Sequence, residues 1–246
     1  MAPPPWTDVF FDFGGTLFSY ASLAGKPFQT IFRAAGRLGL EADPTELARV
    51  FAVSSAESWG RFADRSYYLH KDLFQDGMRR WAEHFGGLAD EDFLEWFHEE
   101  QRLALLECFE LRQGCLETLQ GLRARGLRLS IVSNIDDDYL HPMLERAGLT
   151  DCLDHWTSSE EARSCKPDPG FFQYACRKAG CEPRAVLFVG DSREHDIAGA
   201  RPLGMTTVLI PEAGATPPGA GSSKAGDPHH VISELTQLLD LIEDAG

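Results

Sequence analysis

Apolar positions along this chain fall into two regimes. Near the start, Val9, Phe10 and Phe11 form a short unbroken apolar run that ends at a carboxylate, Asp12. A run without polar alternation predicts a strand buried on both faces. Gly14, Gly15, Thr16 and Leu17 follow. From about residue 19 to 109 the apolar spacing becomes helical. Phe28, Ile31, Phe32 and Ala35 share one helix face, as do Leu47, Val50, Phe51 and Ser54. Asp43-Pro44-Thr45-Glu46 reads as a helix start with Pro44 in its first turn. Leu73, Met78, Trp81 and Phe85 continue the pattern. Gly86-Gly87 separates them from Phe93, Leu94, Trp96 and Phe97. Such aromatic density could supply a stacking platform for bases. Packing inside a small helical bundle is the commoner explanation, with a few side chains left to face a substrate.

From about residue 110, strand and helix patterns alternate. Residues 115–125 predict a helix ended by Gly126, and 127–132 a buried strand that stops at Ser133-Asn134. Residues 139–147 predict a helix closed by Gly148, and 155–158 a short strand. A further helix, 170–179, starts behind Lys166-Pro167-Asp168-Pro169. Residues 185–189 are a second clearly apolar strand, ending in Gly190-Asp191-Ser192. Residues 196–201 read as helical and 206–210 as the last strand. Residues 211–228, rich in Pro, Gly, Ala and Ser, read as a mobile loop. Val231, Leu235, Leu238, Leu239 and Ile242 have the spacing of a terminal amphipathic helix that packs back on the sheet. Alternation on this scale predicts an α/β fold: a parallel sheet with helices on both faces, carrying a helical insertion.

Composition narrows the function classes. The 246 residues are 43% hydrophobic, enough for one substantial core and a smaller second one. The net charge of −15 opposes nonspecific nucleic-acid binding and attachment to anionic membranes. An anionic substrate would need local positive charge or a metal to draw it in. No run of about 18 apolar residues predicts a membrane span. The first six residues hold no basic region or apolar signal core. The cysteines (Cys108, Cys115, Cys152, Cys165, Cys176 and Cys181) form no Cys-x-x-Cys pair and no metal-ligand spacing with histidine. Buried reduced thiols in a cytoplasmic protein are expected.

The C-terminal ends of parallel strands lie along one sheet edge, so loops distant in sequence can meet there. Here those loops offer Asp12 with Gly14, Gly15 and Thr16, then Ser133 and Asn134, then Lys166, then Asp191 and Asp196. Each has an ordinary reading as well. Asp12 before two glycines can end a strand in a turn, Ser133-Asn134 or Asp191 can cap a helix, and Lys166 can lie on the surface. Together they are more specific. Carboxylates that converge repel one another unless a divalent cation or a proton lies between them. Lys166, Ser133 and Asn134 then suit an anionic group beside that cation.

Taken in order, Asp12-Phe13-Gly14-Gly15-Thr16-Leu17, Ser133-Asn134, Lys166-Pro167-Asp168-Pro169 and Val189-Gly190-Asp191-Ser192 with Asp196 resemble the four motifs of the haloacid dehalogenase superfamily. The resemblance implies a Rossmann-like core, residues 1–18 and 110–246, with residues 19–109 inserted as a movable helical cap. It implies Asp12 as a nucleophile that forms a covalent aspartyl intermediate. Mg2+ would be held by Asp12, the carbonyl of Gly14 and Asp191, supported by Asp196. Ser133 and Lys166 would hold the phosphoryl oxygens, with Gly15, Thr16 and Asn134 lining the phosphate site. A small phosphorylated molecule is the implied substrate.

One position departs from that pattern. Phosphatases of the family usually carry a second aspartate two residues after the nucleophile, which protonates the leaving group and later activates water. Here that residue is Gly14. General acid–base help is worth about 10²–10⁴ in rate. Three readings follow. One is a slow or selective phosphatase that uses good leaving groups or borrows an acid such as Glu194, His195 or His70. Another is a dehalogenase- or phosphonatase-like hydrolase. Retention of both Asp191 and Asp196 counts against the former, and the latter needs a cap lysine, for which Lys26 and Lys71 carry no distinguishing mark. The third is a protein that binds a phosphometabolite without turnover.

Overall fold

The computed structural model describes residues 5–23, 26–211 and 226–244. The chain forms two compact units. One comprises residues 1–21 and 110–246, the other 22–109. The first division thus falls after Ala21 rather than after Phe18. Residues 18–19 are tied to the larger unit by a bridge from Phe18 to Leu111 and by the Ser19 amide, which donates to the Glu110 carbonyl at 3.3 Å.

The larger unit is built on six strands: β1 (Asp8–Phe11), β2 (Arg128–Ser133), β3 (His155–Ser158), β4 (Val186–Gly190), β5 (Thr206–Leu209) and β6 (His230–Val231). Their order across the sheet is β3-β2-β1-β4-β5-β6, and each neighbouring pair is parallel. In register, Phe11 faces Ile131 on one side and Val189 on the other. Phe10, Val132 and Phe188 form one buried cluster with Phe171, Phe172 and Ala175 of a helix. The alternate positions Val9, Phe11, Ile131, Leu187 and Val189 point to the other face and are also fully buried. That two-sided burial is why residues 9–11 and 186–189 read as unbroken apolar runs, whereas β2 carries Arg128 and the buried Ser130.

Helices connect the strands. They are α5 (Cys115–Ala124), α6 (Asp137–Arg146), α7 (Ser159–Ala162), α8 (Pro169–Ala179), α9 (Ala198–Ala200) and α10 (Gln237–Asp244), preceded in the smaller unit by α1 to α4. From β1 the chain steps outward to β2 and β3, then returns to β4 on the opposite side of β1. That reversal opens a crevice at the C-terminal ends of β1 and β4, where ligands of open α/β sheets bind.

One expectation is refined here and one corrected. Residues 196–201 are helical, as expected, but not one regular helix. A single wide turn, Arg193–Ile197, is followed by α9 and a short 3₁₀ segment. Its shape follows from Ser192, whose carbonyl accepts from both the Asp196 and Ile197 amides, at 3.0 and 3.2 Å. Val231 belongs to the two-residue edge strand β6 and is 60% exposed, so the terminal helix starts only at Gln237. Leu238 and Ile242 do pack inward, as expected. Most of the loop expected at 211–228 lies outside the described residues.

The smaller unit holds α1 (Lys26–Arg37), α2 (Pro44–Phe62), α3 (His70–His84) and α4 (Glu91–Cys108). Asp43 caps α2 by accepting from the Thr45 amide at 2.8 Å, with Pro44 directly behind it. Ile31, Leu47, Val50, Met78, Trp81, Phe93 and Phe97 make its core. The aromatics are therefore mainly packing residues. Phe32 departs from its expected place, since it is 42% exposed. Trp81 is fully buried, and its indole N–H donates to the Leu47 carbonyl at 3.0 Å. Trp81→Ala removes that volume and leaves the carbonyl without the indole. It is expected to cost about 3–5 kcal/mol, read as a shift in the guanidinium unfolding midpoint by circular dichroism. A loss under about 1 kcal/mol would contradict this packing.

Candidate active site

β1 delivers Asp12 to the crevice in a fixed position. Its amide donates to the Val189 carbonyl at 2.9 Å, extending the β1–β4 ladder by one residue. Three donors hold the carboxylate. Ser133 Oγ, at the end of β2, donates to Oδ1 at 2.8 Å. Lys166 Nζ donates to the same oxygen at 2.6 Å, and Thr16 Oγ1 donates to Oδ2 at 3.2 Å. Lys166 also donates to Asp196 Oδ1 at 2.6 Å. Asp12, Lys166, Ser133, Thr16 and Asp196 are all buried.

A reciprocal pair of bonds positions Lys166. Its amide donates to Asn134 Oδ1 at 2.7 Å, and Asn134 Nδ2 donates back to its carbonyl at 3.0 Å. Asn134 thus acts on the backbone that presents the ammonium. Asp168 serves α8 rather than the site, capping that helix by accepting from the Gly170 amide at 2.7 Å.

Asp191 follows β4 and meets the first loop at Gly15. Gly15 has φ +77°, and a Cβ there would run into the Asp191 carboxylate. Glycine serves both needs: the left-handed turn and the close approach of the carboxylate. Asp12, Asp191 and Asp196 each offer an oxygen within 4.8 Å of the others. Asp196 Oδ2 also accepts from the Ser192 amide at 2.9 Å.

Electrostatics mark these groups. Burial raises the Asp191 carboxyl to about 8, helped by the negative charge of Asp12 and Asp196. Burial likewise raises Asp196 to about 6 against the pull of Lys166. For Lys166, burial alone would favour the neutral amine. The two aspartates outweigh it and raise the ammonium well above its usual range. Three clustered carboxylates, two buried and one partly buried, against one ammonium leave uncompensated negative charge. Hard oxygen donors in excess negative charge fit a divalent cation such as Mg2+.

The sequence-expected residues Asp12, Thr16, Ser133, Lys166, Asp191 and Asp196 come together within the larger unit, with Gly15 beneath Asp191 and Asn134 behind Lys166. Among the candidate substitute acids, Glu194 and His195 lie in the turn after β4. His195 Nδ1 lies 3.2 Å from Ser192 Oγ. His70 belongs to the smaller unit, where Trp59, Tyr68 and Phe74 surround its ring. Tyr20, absent from the sequence reading, stands beside Gly14.

Comparisons with known proteins agree with this architecture. A sequence profile of haloacid dehalogenase-like hydrolases matches residues 9–204. The chain is 36% identical to haloacid dehalogenase-like hydrolase domain-containing protein 3 of Bos taurus, over 94% of this chain and 92% of that protein. It is 30% identical to ribulose-1,5-bisphosphate 5-phosphatase of Halopiger xanaduensis, over 96% and 99%. The solved structure of L-2-haloacid dehalogenase from Xanthobacter autotrophicus shares the fold, with a TM-score of 0.71 and 24% identity over 97% and 98% of the two chains. Among the described residues, no helix is long and apolar enough to cross a membrane.

The raised carboxyls set a pH dependence. The native chain retains a proton on Asp191 up to about pH 8, whereas an unfolded aspartate loses it near about 4. Native binding of the extra proton means that this contribution to stability is fully present below about pH 4 and is lost as pH rises towards 8. In chelator, Asp191→Asn should flatten the fall of melting temperature across that window. Mg2+ should raise the parent's melting temperature more at pH 8.5 than at pH 6, where protons compete. Differential scanning fluorimetry reads both, and equal stabilisation at the two pH values would refute the assignment.

Proposed function

This chain belongs to the haloacid dehalogenase-like hydrolases, and we propose that within that family it is a magnesium-dependent phosphatase of small phosphomonoesters. One observation carries the reading: the cluster of Asp12, Asp191 and Asp196, its first and last members buried and Asp191 partly so, opposed by the ammonium of Lys166. Asp12, the carbonyl of Gly14 and Asp191 would hold Mg2+, with Asp196 supporting them. When bound, the ion supplies positive charge to the carboxylates and to the phosphoryl oxygens, which otherwise repel each other.

The remaining chemistry belongs to the chain. Ser133, Thr16 and Lys166 fix the Asp12 carboxylate in one orientation, so its attack on phosphorus needs little reorganisation. Lys166 and the Ser133 hydroxyl balance charge on the transferring group. Attack by Asp12 expels the alcohol and leaves an aspartyl phosphate. Water then attacks phosphorus, releasing inorganic phosphate and restoring the carboxylate. Splitting the displacement in two lets one carboxylate, rather than free water, meet the ester first.

A dehalogenase reading has Gly14 in its favour, because expelled halide needs no proton. It leaves the accumulation of negative charge at Asp191 and Asp196 without a purpose. The two are separated by assaying p-nitrophenyl phosphate, acetyl phosphate and ribulose 1,5-bisphosphate with Mg2+ or chelator, beside chloride release from 2-chloropropionate. Magnesium-dependent phosphate release is expected, falling roughly 10³-fold or more in Asp12→Asn. Chloride release that persists in chelator, without phosphate release, would overturn the phosphatase reading.

A further inference from the structure

The space beside Gly14 is filled by a phenol. β1 ends at Phe11, and three residues on Gly14 forms a bridge with Phe18. Asp12 and Phe13, between them, are both buried. After Leu17 the chain reverses, with the Leu17 and Phe18 amides both donating to the Phe13 carbonyl, at 2.9 and 3.2 Å. The reversal returns Tyr20 to the start of the turn. A Cβ at position 14 would fall on the Tyr20 hydroxyl oxygen and lie 2.9 Å from the ring carbon that bears it. Glycine is therefore the residue that admits the phenol.

Packing holds the ring there. Tyr20 meets Phe18 edge to face, with centroids 5.1 Å apart at 73°, and Phe18 meets Phe13 in the same way at 5.0 Å and 69°. Phe18 and Phe13 are buried, whereas Tyr20 is 52% exposed. Its hydroxyl is thus held where a side chain at position 14 would begin, braced by a buried aromatic chain, while about half of the residue remains exposed.

We infer that Tyr20 supplies the proton for the leaving group and so takes over the work of an acid at position 14. The inference rests on the phosphatase reading above. As Asp12 attacks, the bond between phosphorus and the leaving oxygen breaks, and its electron pair stays on that oxygen. The phenol proton moves there, leaving tyrosinate and a neutral alcohol. When water attacks the aspartyl phosphate, tyrosinate takes the water's proton and the bond from phosphorus to Asp12 breaks, restoring phenol and carboxylate. Phenols, with ordinary pKa near about 10, are acidic enough to protonate an alkoxide and basic enough, once ionised, to help water attack.

The test is a leaving-group series of aryl phosphates, p-nitrophenyl to phenyl to p-methoxyphenyl, run with Mg2+ on the parent and on Tyr20→Phe. The variant keeps the ring and its aromatic contacts. Its kcat for p-nitrophenyl phosphate, whose leaving group needs little protonation, should fall least of the three. Phenyl and p-methoxyphenyl phosphate should slow by roughly 10², and the basic limb of their pH profile should disappear. Adding Gly14→Asp to a Tyr20→Ala background should restore at least about tenfold on phenyl phosphate, whereas Gly14→Asp in the parent should lower it by displacing the ring. An equal factor across the series, or parent-like phenyl phosphate turnover in Tyr20→Phe, overturns the role of Tyr20 and leaves the phosphatase reading standing. Absence of magnesium-dependent turnover in the parent overturns both.

Discussion

Three carboxylates, Asp12 and Asp196 buried and Asp191 partly buried, share the edge of a parallel sheet with one ammonium, leaving a formal excess of two negative charges. Taking ions out of water is costly, and a partner repays that cost only with good geometry. Lys166 provides such geometry to Asp12 and Asp196 at once. It cannot also neutralise Asp191, whose carboxyl is raised further than that of Asp196. The surrounding architecture exists in part to hold this imbalance together. β1, β2 and β4 are buried on both faces, so their ends cannot drift apart to relieve repulsion. Asn134 fixes the backbone of Lys166, and Gly15 lets Asp191 come close. Protons or a divalent cation are what remain to balance the site.

This local excess sits inside a chain whose overall charge is already −15. Long-range attraction therefore does nothing to bring an anionic ester in, and the general field opposes its approach. Lys166 is no substitute, because its ammonium is already divided between two carboxylates. A cation that completes the site would also create the positive end at which a phosphoryl group can settle. Binding of cation and of anion become linked, with the first favouring the second. Such coupling follows from charge alone and requires no movement of the fold.

Much of this was legible in the chain because parallel strands buried on both faces leave an unmistakable trace. Val9 to Phe11 and Val186 to Val189 are unbroken apolar stretches, the strand before Ser133 is apolar but for Arg128 and Ser130, and each leads directly or through Gly190 to a polar residue that now stands in the crevice. Position along a strand told where Asp12, Ser133 and Asp191 would lie. Elements without two-sided burial left no such trace. Val231 pairs at the sheet edge through backbone alone, so its side chain is exposed and its spacing mimicked a helix. The wide turn around Asp196 is dictated by the Ser192 carbonyl and amide, contacts that no periodicity encodes. Asp168 looked like part of the chemical motif, and it is spent on capping α8. Tyr20 escaped notice because its importance lies in a chain reversal that places it against a residue with no side chain.

That last arrangement follows from the charge balance. A fourth carboxylate at position 14 would raise the formal excess from two negative charges to three. A phenol brings an O–H to the place where that side chain would begin while remaining neutral. Its ring is held by aromatic packing rather than by an ion pair, so its placement makes no further demand on Lys166. The cost of this solution falls on range, since a phenol is a weaker acid than a carboxyl group and gives up its proton only when the leaving oxygen is basic enough to take it. Esters that expel a poor leaving group should therefore depend on Tyr20 most, and those with a good one hardly at all. Read in this way, Gly14 is a residue whose missing side chain makes room for a neutral one, and its presence is compatible with hydrolysis.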